Sequence, residues 1–429
     1  MTTSPPQDPA TTRPPRPRPV LLDPAFLRLW TGTTASGLAT WALPFVLGLA
    51  VLERDLTAAG LGLALAARTA GFLGAVAIGG VLADRHSRRA VVLWSALAAA
   101  VAAPLLAAGL GRSLLLMAGA ALLAGAGQGA CRPAFQALAA EVVEPERRQQ
   151  ANAAMTLAVR ASTLMGPSLA ALLAAVLDIK ALLLGIGALW LVAAFVPGRG
   201  AKTPPAGVEA EPQVSQRASF RREFLEGVRE ARRHPWFVAG LGALTAVIAT
   251  GYSATGVALP LISRDRYDTE AVLAAATTAY AVGALVGALV IARWRPRSQG
   301  WSALAGLAVY GFAPLSLTLP VHPAVVVAAY AVAGLGIELF NVPWFTATQR
   351  EIAPDKLARV SSLDFLLSYG LAPLGLALIA PAITTFGVQP VLLTCALICF
   401  LAPAAAALAP TARRFTRAPG TEVNPRHQV

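Results

Sequence analysis

Long apolar stretches, separated by short polar segments, run along almost the whole chain. A helix needs about 20 apolar residues to cross the hydrocarbon of a bilayer. Twelve stretches approach or exceed that length, and they are continuous rather than alternating at every second residue, which indicates helices and not barrel strands. They cover residues 28–52, 57–82, 90–111, 113–138, 151–177, 180–197, 237–262, 270–292, 300–320, 323–347, 359–386 and 388–409. The pattern predicts an all-α integral membrane protein with twelve transmembrane helices.

A polar segment at residues 198–236 divides the stretches into two groups of six. The two groups repeat one another, since Pro133-Ala134-Phe135 in the fourth stretch recurs as Pro343-Trp344-Phe345 in the tenth. We therefore predict two pseudo-symmetric six-helix bundles in parallel repeat. The expected units are a disordered cytoplasmic N-tail (1–27), an N-terminal bundle (28–197), a cytoplasmic linker (198–236), a C-terminal bundle (237–409) and a cytoplasmic C-tail (410–429).

The second part of the linker has an amphipathic pattern. Phe224, Leu225 and Val228 lie on one side of a predicted helix, and arginines surround them. This pattern predicts either a helix lying on the inner membrane surface or a solvated basic connector that helps to fix the topology.

Composition and charge support a membrane protein. With 56% hydrophobic and 13% charged residues, the chain has too little polar surface for a soluble fold. The net charge of +13 is concentrated, because 26 of the 35 Lys and Arg residues fall in the tails and in alternate loops on one face. By the positive-inside rule that face and both termini are cytoplasmic. The charge therefore concerns topology, and nucleic acid is not an expected partner.

Few residues suggest catalytic chemistry. Cys131, Cys395 and Cys399 fall within predicted spans and have no metal-ligand spacing. The sequence has no nucleophile and base set, no phosphate loop and no nucleotide-binding domain, so neither an enzyme nor an ATP-driven pump is expected. We expect no cofactor.

A basic segment between the second and third stretches, residues 79–89, reads Gly-Gly-Val-Leu-Ala-Asp-Arg-His-Ser-Arg-Arg. It resembles the signature loop of the major facilitator superfamily, roughly G-x-L-A-D-R-x-G-R-K/R. Ser87 replaces a glycine of that pattern. Seven positions match, namely Gly80, Leu82, Ala83, Asp84, Arg85, Arg88 and Arg89.

The resemblance implies two bundles that rock about a central site, with gating by Gly80, Asp84, Arg85, Arg88 and Arg89. Asp84 is expected to close the cytoplasmic side by meeting the N-terminus of the eleventh helix, which carries a partial positive charge. Arg85 and Arg88 are expected to hold Asp84 and two neighbouring acids. These acids are Glu141 and Asp364.

Polar side chains inside the spans indicate a cavity, because a charge at the bilayer centre costs about 2.5–3.5 kcal/mol. Glu338 is expected to be a protonatable coupling or cation-binding group, or else a neutral carboxylate satisfied by neighbouring helices. Gln128 is its counterpart in the repeat, and the resemblance implies that both face the central cavity. Arg68 and Arg160 are expected either to bind an anionic substrate group or to form static ion pairs or carbonyl bonds.

Aromatic residues on the presumed cavity helices, Trp41, Tyr252, Phe340 and Trp344, are expected to contact a bulky ligand, or else to pack between helices. In the fifth span, Gly166-Pro167 resembles part of an exporter-associated pattern, and we expect a hinge or seal there.

A further resemblance concerns function. The segments at 133–138, 144–148 and 152–167 resemble an exporter group that includes macrolide efflux proteins and the enterobactin exporter. Many proton-coupled exporters have the pattern R-x-x-Q-G, but here Gly125 stands in place of the arginine. Proton coupling is therefore expected to depend on Glu338 and Asp84.

The resemblance implies a monomeric transporter of the bacterial inner membrane. It would export an amphipathic small molecule, such as a drug, an antibiotic or a siderophore-like compound, in exchange for protons. One alternative is a metabolite importer or facilitator of the same fold. Another is a sensor or scaffold that does not transport.

Overall fold

The computed structural model describes residues 19–198, 220–269, 271–370 and 372–416. Within these ranges the regular structure is helical and contains no strand, which confirms the predicted all-α fold. The predicted N-tail up to residue 18, the linker at 199–219 and the chain from 417 onward lie outside the described residues.

The first half of the molecule contains six long helices. They are α1 (Pro24–Leu52), α2 (Ala58–Arg85), α3 (Arg88–Gly109), α4 (Leu114–Val142), α5 (Arg148–Ala174) and α6 (Ile179–Phe195). Polar caps fix several of their starts. The side chain of Thr57 accepts the backbone N–H of Gly60 at the start of α2, and the carboxylate of Asp178 accepts that of Ala181 at 2.7 Å in α6. Such a cap contributes about 1 kcal/mol.

The second half follows the short helix α7 (Phe220–Arg232). Its helices are α8 (Pro235–Ala246), α9 (Ser253–Asp265), α10 (Ala271–Arg293), α11 (Gln299–Ala308), α12 (Phe312–Thr318), α13 (Pro323–Glu351), α14 (Leu357–Gly370), α15 (Ala372–Phe386) and α16 (Val388–Ala407). A π-helical segment, Val247–Tyr252, joins α8 to α9, and a 3-10 turn, Val309–Gly311, joins α11 to α12.

Ten helical segments of the described chain have the length and composition of membrane spans. Pro235–Asp265 and Gln299–Thr318 each count as one such segment. The remaining apolar helices are shorter: α6 has 17 residues, while α14 and α15 have 14 and 15 and lie on either side of residue 371. The predicted number of twelve spans therefore remains a prediction.

Glycine allows equivalent helices to touch in both halves. A Cβ on Gly125 of α4 would lie 1.9 Å from the carbonyl oxygen of Arg68 in α2. A Cβ on Gly334 of α13 would lie at the same distance from the carbonyl oxygen of Tyr280 in α10. Only glycine permits such close contact between helix backbones. The pairs α2–α4 and α10–α13 are thus packed by the same means.

The two halves meet along several helices. Helices α2 and α4 of the first half pack against α14, and α5 packs against α10 and α13. The short helix α7 lies against α2, α8 and α14. We call the end of the molecule that carries the segment 79–89 the basic end.

Candidate functional site

A cavity of about 300 Å³ lies between the two halves. The first half contributes residues of α1, α4, α5 and α6 to its wall, and the second half contributes residues of the α8–α9 segment, α10, α13 and α14. Five of the predicted site residues lie in this wall. They are Trp41, Gln128, Arg160, Tyr252 and Glu338.

Arg160 and Glu338 meet in the cavity wall and join the two halves. The Nε atom of Arg160 lies 2.5 Å from a carboxylate oxygen of Glu338. The Glu338 side chain is fully buried, whereas that of Arg160 keeps 23% of its exposure, so the pair is reachable from the cavity side through the arginine. The guanidinium also lies 6.0 Å from the ring centre of Tyr280. The positive charge of Arg160 offsets the free-energy cost of removing the Glu338 carboxylate from water.

Arg68 lies behind the wall and acts on it through Gln128. Its Nη2 atom donates to the side-chain oxygen of Gln128 at 2.7 Å and to the carbonyl of Thr40 at 3.1 Å. Among the described residues no carboxylate lies within ion-pair distance of Arg68. The cation therefore fixes the orientation of Gln128, whose amide then presents its donors to the cavity.

The prediction that Phe340 and Trp344 line the cavity is wrong. Both side chains are fully buried, and Trp344 donates its indole N–H to Asp364 at 3.0 Å. Their rings pack on one another and on an aromatic cluster of the second half, formed by Trp236, Phe237 and Phe415.

Helical geometry explains this error. A residue on an α-helix is rotated by about 100° from its neighbour, so positions two and six residues after Glu338 point away from the cavity. Positions three and seven residues after it share its face, and Asn341 and Phe345 do line the wall.

Other wall residues were not predicted. Tyr280 and Tyr310 face the cavity, and the hydroxyl of Tyr310 lies 3.1 Å from that of Thr255. Asp364 also lies in the wall, where Ser368 and Trp344 donate to its carboxylate, rather than beside Arg85 or Arg88 as expected. A tyrosine in an apolar helix resembles an ordinary packing residue in the sequence, so no local signal identified these positions.

The predicted hinge in α5 lies against α1. A Cβ on Gly166 would lie 3.1 Å from the Cβ of Trp41, and the helix continues through Pro167 to Ala174. The glycine therefore sets the distance between α1 and α5 beside a wall residue. A hinge or seal at this point remains a prediction.

The carboxylate of Asp84 binds the start of α14 across the boundary between the halves. It accepts the backbone N–H groups of Ala358 and Arg359 at 3.0 and 2.9 Å, and the Nε–H of Arg359 at 3.0 Å. The first N–H groups of a helix have no partner within the helix, and a fully buried anion satisfies them here. We call this contact between Asp84, Ala358 and Arg359 the latch.

The arginines of the basic segment bind other partners. Arg88 pairs with Glu141 at 2.8 Å and donates to the carbonyl of Pro354 in the other half. Arg85 pairs with Glu223 of α7 at 2.5 Å, not with Asp84 as expected, because α2 ends at Arg85 and α7 lies against that end. Arg89 donates to the carbonyl of Ala194 at 2.5 Å within the first half.

Helix α5 adds further bonds between the halves at the basic end. Arg148 donates to the carbonyl of Gln349 at 2.9 Å, and Asn152 donates to the Gln349 side chain at 3.0 Å. Gln149 donates to the carbonyls of Ile291 and Trp294 at the end of α10. Together with the latch, these bonds join the two halves at the basic end.

Gly80 allows the close approach on which the latch depends. A Cβ at this position would lie 2.6 Å from the Cβ of Ser362 and 2.7 Å from the carbonyl oxygen of Ala358. We expect Gly80→Val to separate α2 from α14, because neither contact atom can move away without shifting a helix. Overpacking of this kind costs about 1–3 kcal/mol, so the closed state is expected to lose at least about fivefold in population.

The measurement is the alkylation rate of a cysteine placed at Thr33 in the cavity wall, in a Cys131→Ala background, with reagent added at the basic end. Gly80→Val is expected to accelerate alkylation. Gly74→Val on the same helix is the matched control, because nothing lies within 4 Å of a Cβ at Gly74. Equal rates in the two variants would contradict the role given to Gly80.

Sequence and structure comparisons agree with this architecture. A sequence model described as Major Facilitator Superfamily matches residues 29–375, with a second match at 243–428. A comparison with curated proteins found no match.

Solved structures of transporters share the fold. The human organic anion transporter MFSD10 (TETRAN) is 16% identical, with a TM-score of 0.69 over 92% of this chain and all of that one. A bacterial homologue of the iron transporter ferroportin in an outward-facing state is 17% identical, with a TM-score of 0.65 over 90% of this chain and 98% of that one. The same homologue with soaked iron gives a TM-score of 0.66, with 17% identity over 89% and 99% of the two chains.

Proposed function

The chain belongs to the Major Facilitator Superfamily, a family of membrane transporters of small molecules, and from this premise we propose that it exports an amphipathic small molecule in exchange for protons. We place it in the bacterial inner membrane, as a monomer with both termini in the cytoplasm and with the proton gradient as its energy source. The uneven distribution of Lys and Arg supports this orientation.

The Arg160–Glu338 pair is the observation that carries the proposal. It joins α5 of one half to α13 of the other inside the cavity, so its formation and loss are linked to the relative position of the halves. Proton binding to Glu338 removes the negative charge and with it the attraction to Arg160. The pair can therefore convert a proton-binding event into freedom of the two halves to rearrange.

The composition of the wall supports an amphipathic substrate. Trp41, Tyr252, Tyr280 and Phe345 offer aromatic surface that accepts apolar groups in several orientations. The amide of Gln128 and the guanidinium of Arg160 offer fixed polar contacts beside them. A few polar groups set among aromatic side chains are typical of small-molecule sites.

The closed basic end supports the direction of transport. With that end in the cytoplasm, the latch separates the cavity from the cytoplasm, and the state described here is the one that faces outward. Similarity to a transporter solved in an outward-facing state agrees with this assignment. Export then requires the latch to open for loading and to close again before release.

The test is the accumulation of lipophilic dyes and antibiotics in cells that make the protein and in matched cells that do not. We expect at least one compound to accumulate several-fold less in cells with the protein, and a protonophore to abolish that difference. Reduced accumulation that persists with the protonophore would contradict proton coupling. Greater accumulation of a compound would favour import.

A second candidate is transport of an organic anion. Arg132 lines the same cavity as Arg160, and its guanidinium carbon lies 5.8 Å from the ring centre of Phe72 and 5.9 Å from that of Phe365. Two arginines in one wall favour a ligand that carries a carboxylate or phosphate. The structural neighbour MFSD10 is an organic anion transporter. An anionic fluorescent dye in the same panel separates the two candidates.

A further inference from the structure

Helix α7 presents two chemically different faces. Glu223, Gly227 and Glu230 are spaced at intervals of four and three residues and point toward the membrane helices. A Cβ on Gly227 would lie 3.0 Å from the Cβ of Arg359, so the glycine lets α7 lie directly on the start of α14.

The inner face of α7 reaches residues of both halves. Glu223 pairs with Arg85 at the end of α2, at 2.5 Å. On the other half, Glu230 pairs with Lys356 at 3.0 Å. Glu226, which precedes Gly227 on the same helix, pairs with Arg359 at 3.2 Å. Helix α7 therefore ties together the same two helix ends that the latch joins, and Arg359 takes part in both contacts.

Glu230 is suited to a lasting contact of this kind. Burial raises the pKa of its carboxyl, but the hydrogen bond from Lys356 and the charges of Lys356, Arg233 and His234 outweigh burial and hold the pKa below its ordinary value. A lowered pKa favours the ionised form, so the contact is kept at neutral pH and is lost only when acidification protonates Glu230.

The outer face of α7 is basic. Arg222, Leu225, Arg229 and Arg232 follow one another at helical spacing, and all are exposed, as is Arg233 just beyond the helix. The side chains of Arg222 and Arg233 are 75% and 65% exposed. Within the described part of the chain, Arg229 and Arg232 form no ion pair. Arg222 and Arg233 pair with Glu226 and Glu230 of the same segment, at 3.8 and 3.4 Å. The surface therefore combines two paired and two unpaired arginines with one apolar side chain.

The position of α7 indicates which partner its basic outer face can bind. The helix lies against Arg85, the last residue of one membrane segment, and against the first turn of α14. The ends of membrane segments lie at the level of the lipid headgroups. Guanidinium groups bind phosphates through paired hydrogen bonds, and Leu225 is placed to enter the boundary between headgroups and acyl chains.

We propose that the outer face of α7, formed by Arg222, Leu225, Arg229, Arg232 and Arg233, binds the headgroups of anionic phospholipids and that this binding presses α7 against the latch. Anionic lipid then stabilises the state that is closed at the basic end. The partner is the membrane surface itself. Neither the identity of the transported molecule nor proton coupling enters this inference.

The test is amide hydrogen exchange of α7 in the full-length protein, held in nanodiscs of phosphatidylcholine alone or with one-third phosphatidylglycerol. Each arginine near an anionic surface contributes enough for about a fivefold change in affinity. We expect exchange in α7 to slow by at least about tenfold in the anionic nanodiscs. In a variant with all four arginines changed to Gln (R222Q, R229Q, R232Q and R233Q) the two nanodiscs are expected to give equal exchange.

The matched control removes four exposed charges at the opposite end, through R54Q, R112Q, K180Q and R264Q. It is expected to respond to anionic lipid as the wild type does. Equal exchange of the wild type in both nanodiscs would overturn the proposal, as would a full response of the variant without the α7 arginines. Slowing by inorganic phosphate or an acidic peptide in neutral nanodiscs would assign the surface to a soluble ligand or protein instead.

Discussion

Replacement of Glu338 by Gln is expected to abolish proton-driven transport while the protein still folds and reaches the membrane. An amide cannot bind or release a proton at any working pH, so we expect the proton-driven rate to fall by at least about 100-fold. Removing one partner of a buried pair costs about 3–5 kcal/mol, and the partial exposure of Arg160 reduces this to about 2 kcal/mol of unfolding free energy. The rate is measured as dye efflux from proteoliposomes with an imposed pH gradient.

The double variant Arg160→Gln, Glu338→Gln separates stability from coupling. Removal of both charges leaves no unpaired ion, so its thermal stability is expected to return to within about 1 kcal/mol of the wild type. Its proton-driven transport is expected to remain absent. Glu351→Gln is the matched control, because Glu351 lies on the same helix and pairs with Arg350 beside it. Proton-driven transport by Glu338→Gln at the wild-type rate would contradict the role of this carboxylate.

Asp84→Asn is expected to leave the protein folded and to weaken the closed state at the basic end. The amide keeps one acceptor oxygen but loses the charge that binds Arg359 and the start of α14. A hydrogen bond to a charged group contributes about 1.5–3 kcal/mol, so we expect transport to fall by at least about tenfold. Cysteine alkylation in the cavity from the basic end is expected to accelerate, as for Gly80→Val.

Asp178→Asn provides the control for this variant. Asp178 also accepts a backbone N–H group at a helix start, that of Ala181, but it caps its own helix, α6, and Asn is an equally good cap. Its transport and alkylation rates are expected to match those of the wild type. If Asp84→Asn behaved in the same way as Asp178→Asn, the latch would be a structural cap and not a gate.

The all-α fold could be predicted from the sequence because long continuous apolar stretches determine helices that can cross a membrane. The signature segment likewise indicated where the two halves meet. Partners far apart in the chain leave no local pattern, so the sequence does not indicate that Arg160 and Glu338 form one pair. Residue type alone favours Trp344 as a cavity residue, whereas the helix face favours Phe345, which lines the cavity. Counting rotation from Glu338 identifies the correct position without a structure.

Arg85 illustrates a different limit of the sequence. Its partner Glu223 lies in a linker helix whose position depends on the packed ends of α2 and α14. No periodicity in the linker indicates which membrane helices it touches. The amphipathic pattern predicted the helix itself, whereas its inner contacts became apparent only in the folded chain.

Phe415 lies beyond the last membrane helix, yet its ring is fully buried, 5.1 Å from the ring centre of Trp236 and 5.8 Å from that of Trp344. Its carbonyl accepts a bond from Arg350, and the carbonyl of Arg413 accepts the N–H of Gly300. The segment from Arg413 to Phe415 is thus part of the interior of the second half. During synthesis, insertion of α16 into the membrane does not complete the aromatic cluster, because Phe415 follows that helix. The second half can finish folding only after the segment that carries Phe415 has left the ribosome.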